Sequence, residues 1–460
     1  MPVYKPGFWA STAADIGPDS RRRLEWLFPM YFAYSALIAL VLILGSPYWV
    51  YEMLRHGKYR KGLKERLGIV PAKLRLGSQT CIWVHAVSVG EVLAVSELVH
   101  QLRTSFPKYR IVLSTTTDTG QKLAAERFGV ENVFYFPLDF AFAARRWFRA
   151  LRPELVVIAE TELWPNFLQV ASEFGARVAI VNARISDRSL KGYRRWKAFV
   201  NPSLQRIDVF CAQTAADADR LKEIGAPANR VLVGGNLKYD VSPPPAPSIV
   251  DELRSSICGS NAGPVLVCGS TVEEEESLLL GAFTNVLATY PAAVMLLAPR
   301  HPQRFNEVDD LLWKMKLPFS RRSQWKGESL RGRVLLIDTI GELSALYALA
   351  DIAFVGGSLV PRGGHNIIEP AQHGVAIVVG NHTENFRDIV SLFESREAVR
   401  VVGPAELPLV FMELLANVDV RRDLGRRAAE TLESQRGATQ RTLVQLRRLL
   451  AKDTHEGARA

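Results

Sequence analysis

Cysteine is scarce. Cys81, Cys211, Cys258 and Cys268 are the four in 460 residues, scattered and without a CxxC pair. That excludes a disulfide framework and a Cys-rich zinc site, and it suits a reducing compartment. No dinucleotide-binding GxGxxG run is present, and no sequence repeat joins the two halves. A basic body is also missing. The net charge of +10 comes from the ends: residues 1–75 hold 12 Lys/Arg against 5 Asp/Glu, and residues 421–460 hold 10 against 5. Between them acids slightly outnumber bases, which argues against a nucleic-acid partner and for an anionic surface met near the termini. With 48% hydrophobic and 23% charged residues the chain can bury a large core, and its length fits two or three domains.

The sharpest local deficit is of charge. Trp26 to Tyr51 (WLFPMYFAYSALIALVLILGSPYWVY) contains no charged residue. As a helix it would extend about 39 Å, against a hydrocarbon thickness of about 30 Å. Aromatic residues stand at both ends, as in an interfacial belt. Pro29 and Pro47 are expected to trim or kink those ends. The run is too long for a signal-peptide core, and no A-x-A cleavage pattern follows it. Arg55, Lys58, Arg60, Lys61, Lys64 and Arg66 come after it, and only Arg21, Arg22 and Arg23 come close before it. The positive-inside rule then puts the following body in the cytoplasm, beside an anionic leaflet. Single-pass and monotopic insertion both fit.

Beyond residue 77 short apolar runs alternate with amphipathic helical stretches. Strands are expected at 81–87, 110–116, 132–137, 155–160, 177–182, 208–213 and 230–235, and again at 264–270, 293–300, 333–338, 352–357 and 376–380. Such alternation predicts parallel sheets covered on both faces. The proline-dense SPPPAPS (242–248) reads as a linker. The expected organisation is a tail (1–25), a membrane segment (26–51), a basic juxtamembrane stretch (52–77), a doubly wound α/β half (78–241), the linker (242–248), a second doubly wound half (249–425), and a C-terminal helix and tail (426–460). The basic helical region near 420–450 could pack on either half.

Ligands of such sheets bind beyond the carboxyl ends of the strands. Glu91 follows the first strand and a glycine turn, in CIWVHAVSVGEV (81–92). A helix N-terminus favours its ionised form and should depress its pKa. It is either a helix-start charge or a base for a hydroxyl proton. His85, inside the strand, reads as a packed or hydrogen-bonded histidine. Glu160 and Glu162 end another apolar strand in AETELWPN, where arginines could hold them or, weakly, a metal could. Lys238 in GGNLKYD (234–240) is either a surface lysine or a cation placed to meet a developing anion. Arg300 in PRHP (299–302) suits a phosphate. In GGSLVPRGGHNIIEPA (356–371), a helix start near Asn366 offers backbone N–H groups to a phosphate, and Glu369 could accept the two hydroxyls of a ribose.

The motifs HAVSVGE, AETELWPN, NARISDRS, GNLKYD, PRHPQRF, DTIGEL, GGSLVPRGGHNIIEPA and TENF, in that order, make the chain resemble the Kdo (3-deoxy-D-manno-oct-2-ulosonic acid) transferases of lipopolysaccharide synthesis from about residue 27 to 445. The resemblance implies a GT-B fold, a membrane-anchored enzyme on the cytoplasmic face of the inner membrane, and inverting transfer of Kdo from CMP-Kdo to a lipid A precursor (lipid IVA). It implies Glu91 as proton acceptor and Glu160 and Lys238 as transition-state stabilisers. It implies CMP contacts at Pro299 and Arg300, at Ile340, Gly341 and Glu342, and at Asn366, Ile367, Ile368 and Glu369. Relatives often carry STHEGEE where this chain has STVEEEE (270–276), so Val272 stands for a histidine and Glu274 for a glycine. Ile367 stands for a proline. About 25 residues precede the membrane segment with no evident role.

The chemistry is consistent with that resemblance. A donor leaving as CMP has one phosphate, so no bridging metal is required and no cofactor is implied. A sugar hydroxyl needs one base for a single inverting displacement. A phosphorylated, acylated acceptor suits the anchor and the basic stretch 183–197, where Arg184, Arg188, Arg194 and Arg195 could hold its phosphates or form a solvated basic helix. Another GT-B nucleotide-sugar transferase or epimerase, or a non-catalytic membrane-anchored lipid-binding protein, are the alternatives.

Overall fold

The computed structural model describes residues 18–56, 61–75, 79–240 and 248–456. The tail up to residue 17, Lys58, Arg60 and linker residues 242–247 lie outside the described residues. Two compact units divide the chain: residues 1–241 with 437–460, and residues 242–436.

The first unit holds seven parallel strands: β1 (Cys81–His85), β2 (Arg110–Thr115), β3 (Val133–Tyr135), β4 (Pro153–Ala159), β5 (Arg177–Ala183), β6 (Val209–Ala212) and β7 (Val231–Val233). Their spatial order is β3-β2-β1-β4-β5-β6-β7. All five residues of β1 are buried, as expected of a strand sandwiched between helical layers. One face packs Trp83 with Phe134, Phe148 and Phe167. The other packs Ile82 and Val84 with Val92, Leu98 and Val157, and with Leu443 and Leu446 of the last helix, Ala438–Glu456. Asp240 ties that helix in by accepting from the N–H groups of Gly437 and Thr439.

The second unit holds β8 (Val265–Thr271), β9 (Val294–Pro299), β10 (Phe319–Arg321), β11 (Val334–Leu336), β12 (Ile352–Val355), β13 (Ala376–Gly380) and β14 (Arg400–Val402). Their order is β10-β11-β9-β8-β12-β13-β14. The α/β class read from the sequence is thus what the chain forms. β10 and β14, absent from the expected strands, are three-residue edge strands that each carry an arginine. Short charged edges are a common defence against edge-to-edge pairing, and they leave no apolar run to read.

In each sheet the first strand is central and the order turns beside it: between β1 and β4 in the first unit and between β8 and β12 in the second, where β10 also lies outside β11. Crevices open at such switch points, beyond the strands' carboxyl ends. Glu91 follows β1 and Glu160 follows β4. The segment 272–276 follows β8, and 356–371 follows β12.

The N-terminal helix α1 runs from Pro18 to His56, continuing through Pro29 and Pro47. Its Tyr31–Trp49 stretch is long and apolar enough to cross a membrane. Several of its large side chains face outward, Phe32, Ile43, Leu44 and Tyr48 among them. Near Tyr31 the helix is fastened to the body. Tyr31 is buried, and its hydroxyl accepts from Arg206 Nε at 3.3 Å. Tyr34 packs on Phe199 with ring centroids 5.6 Å apart, and Asn166 Nδ2 donates to Ser35 Oγ at 3.0 Å. Past the helix the chain is again bound to the body at Glu65, which accepts from the Tyr135 N–H at 2.7 Å and, through its carbonyl, from Trp147 Nε1 at 3.0 Å.

Candidate active site

Helix Val89–Ser105 starts directly beyond β1, with Ser88 as its N-cap. Glu91, in its first turn, folds back on the entering chain. Its Oε2 accepts from the Val87 N–H at 2.8 Å and its Oε1 from Ser88 Oγ at 3.0 Å. Two donors fix the rotamer and leave lone pairs for a third proton. The side chain is buried, and this reverses the expected pKa shift. Burial, together with the charges of Glu160 and Glu162, pushes the carboxyl up to about 7, beyond what its two hydrogen bonds recover. Desolvation of a carboxylate outweighs a helix-terminus effect of at most about 1 kcal/mol. A carboxylate with a pKa near neutrality is a competent base.

Glu160 leaves β4 in a left-handed backbone conformation, φ 56°. Such strain in a non-glycine residue tends to occur where position matters. Its N–H donates to the Val181 carbonyl of β5 at 2.9 Å. Glu162 is raised by burial and by Glu160. No arginine pairs with either carboxylate among the described residues. Nor, among them, do three His, Cys, Asp or Glu side chains gather as a metal site.

Lys238 lies half-buried in the short helix Leu237–Asp240, and its ammonium has no carboxylate partner among the described residues. Asn182, buried at the end of β5 with φ 54°, fixes this turn: its Oδ1 accepts from the Leu237 N–H at 3.0 Å. Glu160, Asn182 and Lys238 are therefore stitched in sequence along one rim, through Val181 and Leu237. Asn182 lies within the quoted NARISDRS motif, but sequence alone assigns it no role.

His85 is fully buried, stacked on Phe136 with centroids 3.8 Å apart, and its Nδ1 lies 3.0 Å from Ser114 Oγ. Burial pushes its pKa down to about 3, so it is a neutral core residue.

In the second unit, Pro299 ends β9 and the exposed Arg300 follows, its N–H bonded to the Thr271 carbonyl at 2.8 Å. Arg300 acts electrostatically on His365 and Glu369. His365 is pushed down to about 4 by burial, then by Arg300 and His301. Glu369 is raised by burial, against a hydrogen bond from Asn366 Nδ2 at 3.2 Å and the Arg300 charge. Asn366 also accepts from the Ile368 N–H at 3.1 Å. Ile367 and Ile368 are buried, so they present only backbone to a ligand. The helix expected near Asn366 is a single turn, Ile368–Ala371. Its dipole is correspondingly small, and any anion there depends on Arg300 and local N–H groups. Ile340 and Gly341 form an exposed turn, Ile340 at 79% exposure and Gly341 at φ 91°. Glu342 is held by Arg322 at 3.0 Å and by Thr339 Oγ1.

Sequence reasoning missed Glu275. This fully buried carboxylate accepts from four backbone N–H groups: Val272 at 3.1 Å, Gly357 at 2.7 Å, Ser358 at 2.8 Å and Leu359 at 2.7 Å. It thereby clamps the loop leaving β12 onto the segment leaving β8. Gly356 permits the approach, since a Cβ there would lie 2.6 Å from the Ser270 carbonyl oxygen. Glu274, where relatives have glycine, takes φ 75°, the conformation glycine favours. Val272 is buried.

Of the basic residues proposed for acceptor phosphates, Arg184, Arg188, Arg194 and Arg195 are all exposed. Arg194 is paired with Glu223. Arg188 and Arg195 carry no acidic partner among the described residues.

Residues 61–241 match the sequence family described as 3-deoxy-D-manno-octulosonic-acid transferase (kdotransferase). The chain is 35% identical over 436 residues to the 3-deoxy-D-manno-octulosonic acid transferase of Haemophilus influenzae, covering 92% of this chain and 99% of that one. Among solved structures, it is 32% identical to the C-terminal CMP-Kdo binding domain of WaaA from Acinetobacter baumannii, covering 40% of this chain and 98% of that domain at a TM-score of 0.38. A glycosyltransferase from Rickettsia africae matches at a TM-score of 0.51 and 14% identity, covering 81% of this chain and 99% of that one, a likeness of GT-B fold.

Proposed function

The chain belongs to the Kdo transferase family, and on that premise we propose that it moves Kdo from CMP-Kdo to a lipid A precursor, lipid IVA, with Glu91 as the general base. The observation that carries the assignment of the base is the buried, twice hydrogen-bonded Glu91 carboxyl with its pKa near 7 at the β1/β4 switch point. The acceptor hydroxyl gives its proton to Glu91 as its oxygen bonds to the anomeric carbon of Kdo. The bond from that carbon to the CMP phosphate oxygen breaks on the opposite face, so the anomeric configuration inverts. Lys238, with no carboxylate partner among the described residues, meets charge developing on the departing phosphate. Glu160 stabilises cationic character at the anomeric carbon. Pro299, Arg300, the 340–342 turn and 366–369 hold the nucleotide, with Arg300 supplying the phosphate's counter-charge.

The same reading puts the enzyme on the cytoplasmic face of the inner membrane, supported by the basic residues after α1. The two attachments of the chain favour monotopic insertion. Tyr31 is fixed to the body, and Gly62 lies against the Tyr135 ring. The six residues from His56 to Gly62 reach at most about 22 Å. Tyr31 to His56 covers about 38 Å of helix. Both ends of the apolar helix thus stay near one body, which suits a helix lying along the membrane surface better than one crossing it.

Incubating the purified protein with CMP-Kdo and a tetra-acylated disaccharide bisphosphate is expected to add Kdo to the lipid, as read by product mass. An unaltered lipid mass, with CMP-Kdo intact, would overturn the reading.

A further inference from the structure

A groove of about 720 Å³ runs along the first unit between α1 and the helices Asp187–Arg195 and Lys197–Leu204. Its walls include Ala33 and Leu37 of α1 and, opposite, Gly192, Tyr193, Trp196 and Phe199. These surfaces are predominantly apolar and contiguous, and Trp196 within them is 64% exposed. Two features indicate what covers it. One wall belongs to the helix whose apolar length suits a membrane. The helix of the other wall, Asp187–Arg195, also carries Arg188, Lys191 and Arg195, exposed cations without acidic partners among the described residues. An apolar floor beside uncompensated positive charge is complementary to a lipid bearing phosphate next to its acyl chains.

We propose that this groove receives an acyl chain of the acceptor lipid, with Arg188, Lys191 and Arg195 meeting its phosphate. The proposal rests on the transferase reading and deepens it. The helix lying along the membrane opens the groove at the depth where acyl chains begin, so the acceptor need not leave the bilayer completely to be bound. Sequence offers no view of this site, because its walls lie more than 150 residues apart.

Gly192 gives a direct test. A Cβ there would have nothing within 4 Å, so a large side chain enters the groove and not the core. In detergent, Gly192→Trp is expected to raise KM for the tetra-acylated acceptor at least tenfold. KM for the chemically deacylated disaccharide bisphosphate and for CMP-Kdo should change less than twofold. Ala33→Trp, from the opposite wall, reads the same site if the first variant fails to fold. Unchanged KM for the acylated acceptor in a folded variant would overturn the proposal, as would an equal rise for both acceptors. Loss of binding to anionic phospholipid vesicles with acceptor KM intact would assign the groove to bulk lipid, also against it. Failure of the unmodified enzyme to transfer Kdo to either acceptor would instead remove the functional reading beneath it.

Discussion

Glu91→Gln is expected to lower kcat about 10²- to 10⁴-fold at pH 8, the usual weight of a positioned general base, while making the protein more stable at that pH. The two effects have one cause. In the folded protein this carboxyl is pushed from 4.5 up to about 7. Between those values the native state binds more protons than the unfolded state, so stability falls as pH rises through the window. Above about pH 7 the native protein carries the full penalty of a buried ionised carboxylate, at most about 3 kcal/mol. Below about pH 4 it carries none. Glutamine keeps an oxygen for the Val87 N–H and removes the charge. The variant should melt several degrees higher than the unmodified protein at pH 8 and at the same temperature at pH 4. An inactive variant with no gain at pH 8 would mean that Glu91 is not strained. Loss of activity through misfolding would show as a lower melting temperature at both values.

Glu275→Gln is expected to raise KM for CMP-Kdo at least tenfold and to lower the melting temperature by roughly 5 °C or more. An amide nitrogen cannot accept, so two of the four N–H groups now bonded to the carboxylate lose their acceptor. Each buried N–H left unsatisfied costs about 1–3 kcal/mol. The loop 356–359 would be released first, and with it the path leading to Asn366 and Glu369. Acceptor KM should be little changed, since the clamp lies wholly in the second unit. Glu273→Gln, at an exposed neighbour, is expected to change stability by less than about 0.5 kcal/mol. A folded Glu275→Gln variant with normal donor KM would remove the clamp from the binding machinery.

How far the sequence could be read follows from which interactions are local. Strands such as 81–85 and 155–159 are visible because parallel strands buried on both faces are continuous apolar runs. β10 and β14 are invisible because three residues with an arginine form no such run. Glu91 was identifiable as a strand-end carboxylate, yet its pKa ran opposite to the local expectation. The helix terminus is a neighbour in sequence, while the burial and the Glu160 charge that outweigh it come from elements about 70 residues away. Glu273, Glu274, Glu275 and Glu276 are indistinguishable as letters, and only the fold buries Glu275 against a loop 82–84 residues on. Asn182 likewise acts on Leu237 across 55 residues. The one-turn helix at Ile368 shows the reverse error, since a glycine-rich loop before an apolar stretch resembles a longer helix start than the chain builds.

The pH dependence of kcat/KM for Kdo transfer, measured on the unmodified enzyme and on Glu91→Gln between about pH 5.5 and 9, tests the assignment of the base most directly. The unmodified enzyme should gain about tenfold per pH unit below a midpoint near 7 and level off above it, as Glu91 becomes ionised. The variant should be slow and lack that rise. A variant that keeps the unmodified rate, or one that keeps the same midpoint, would contradict Glu91 as the base.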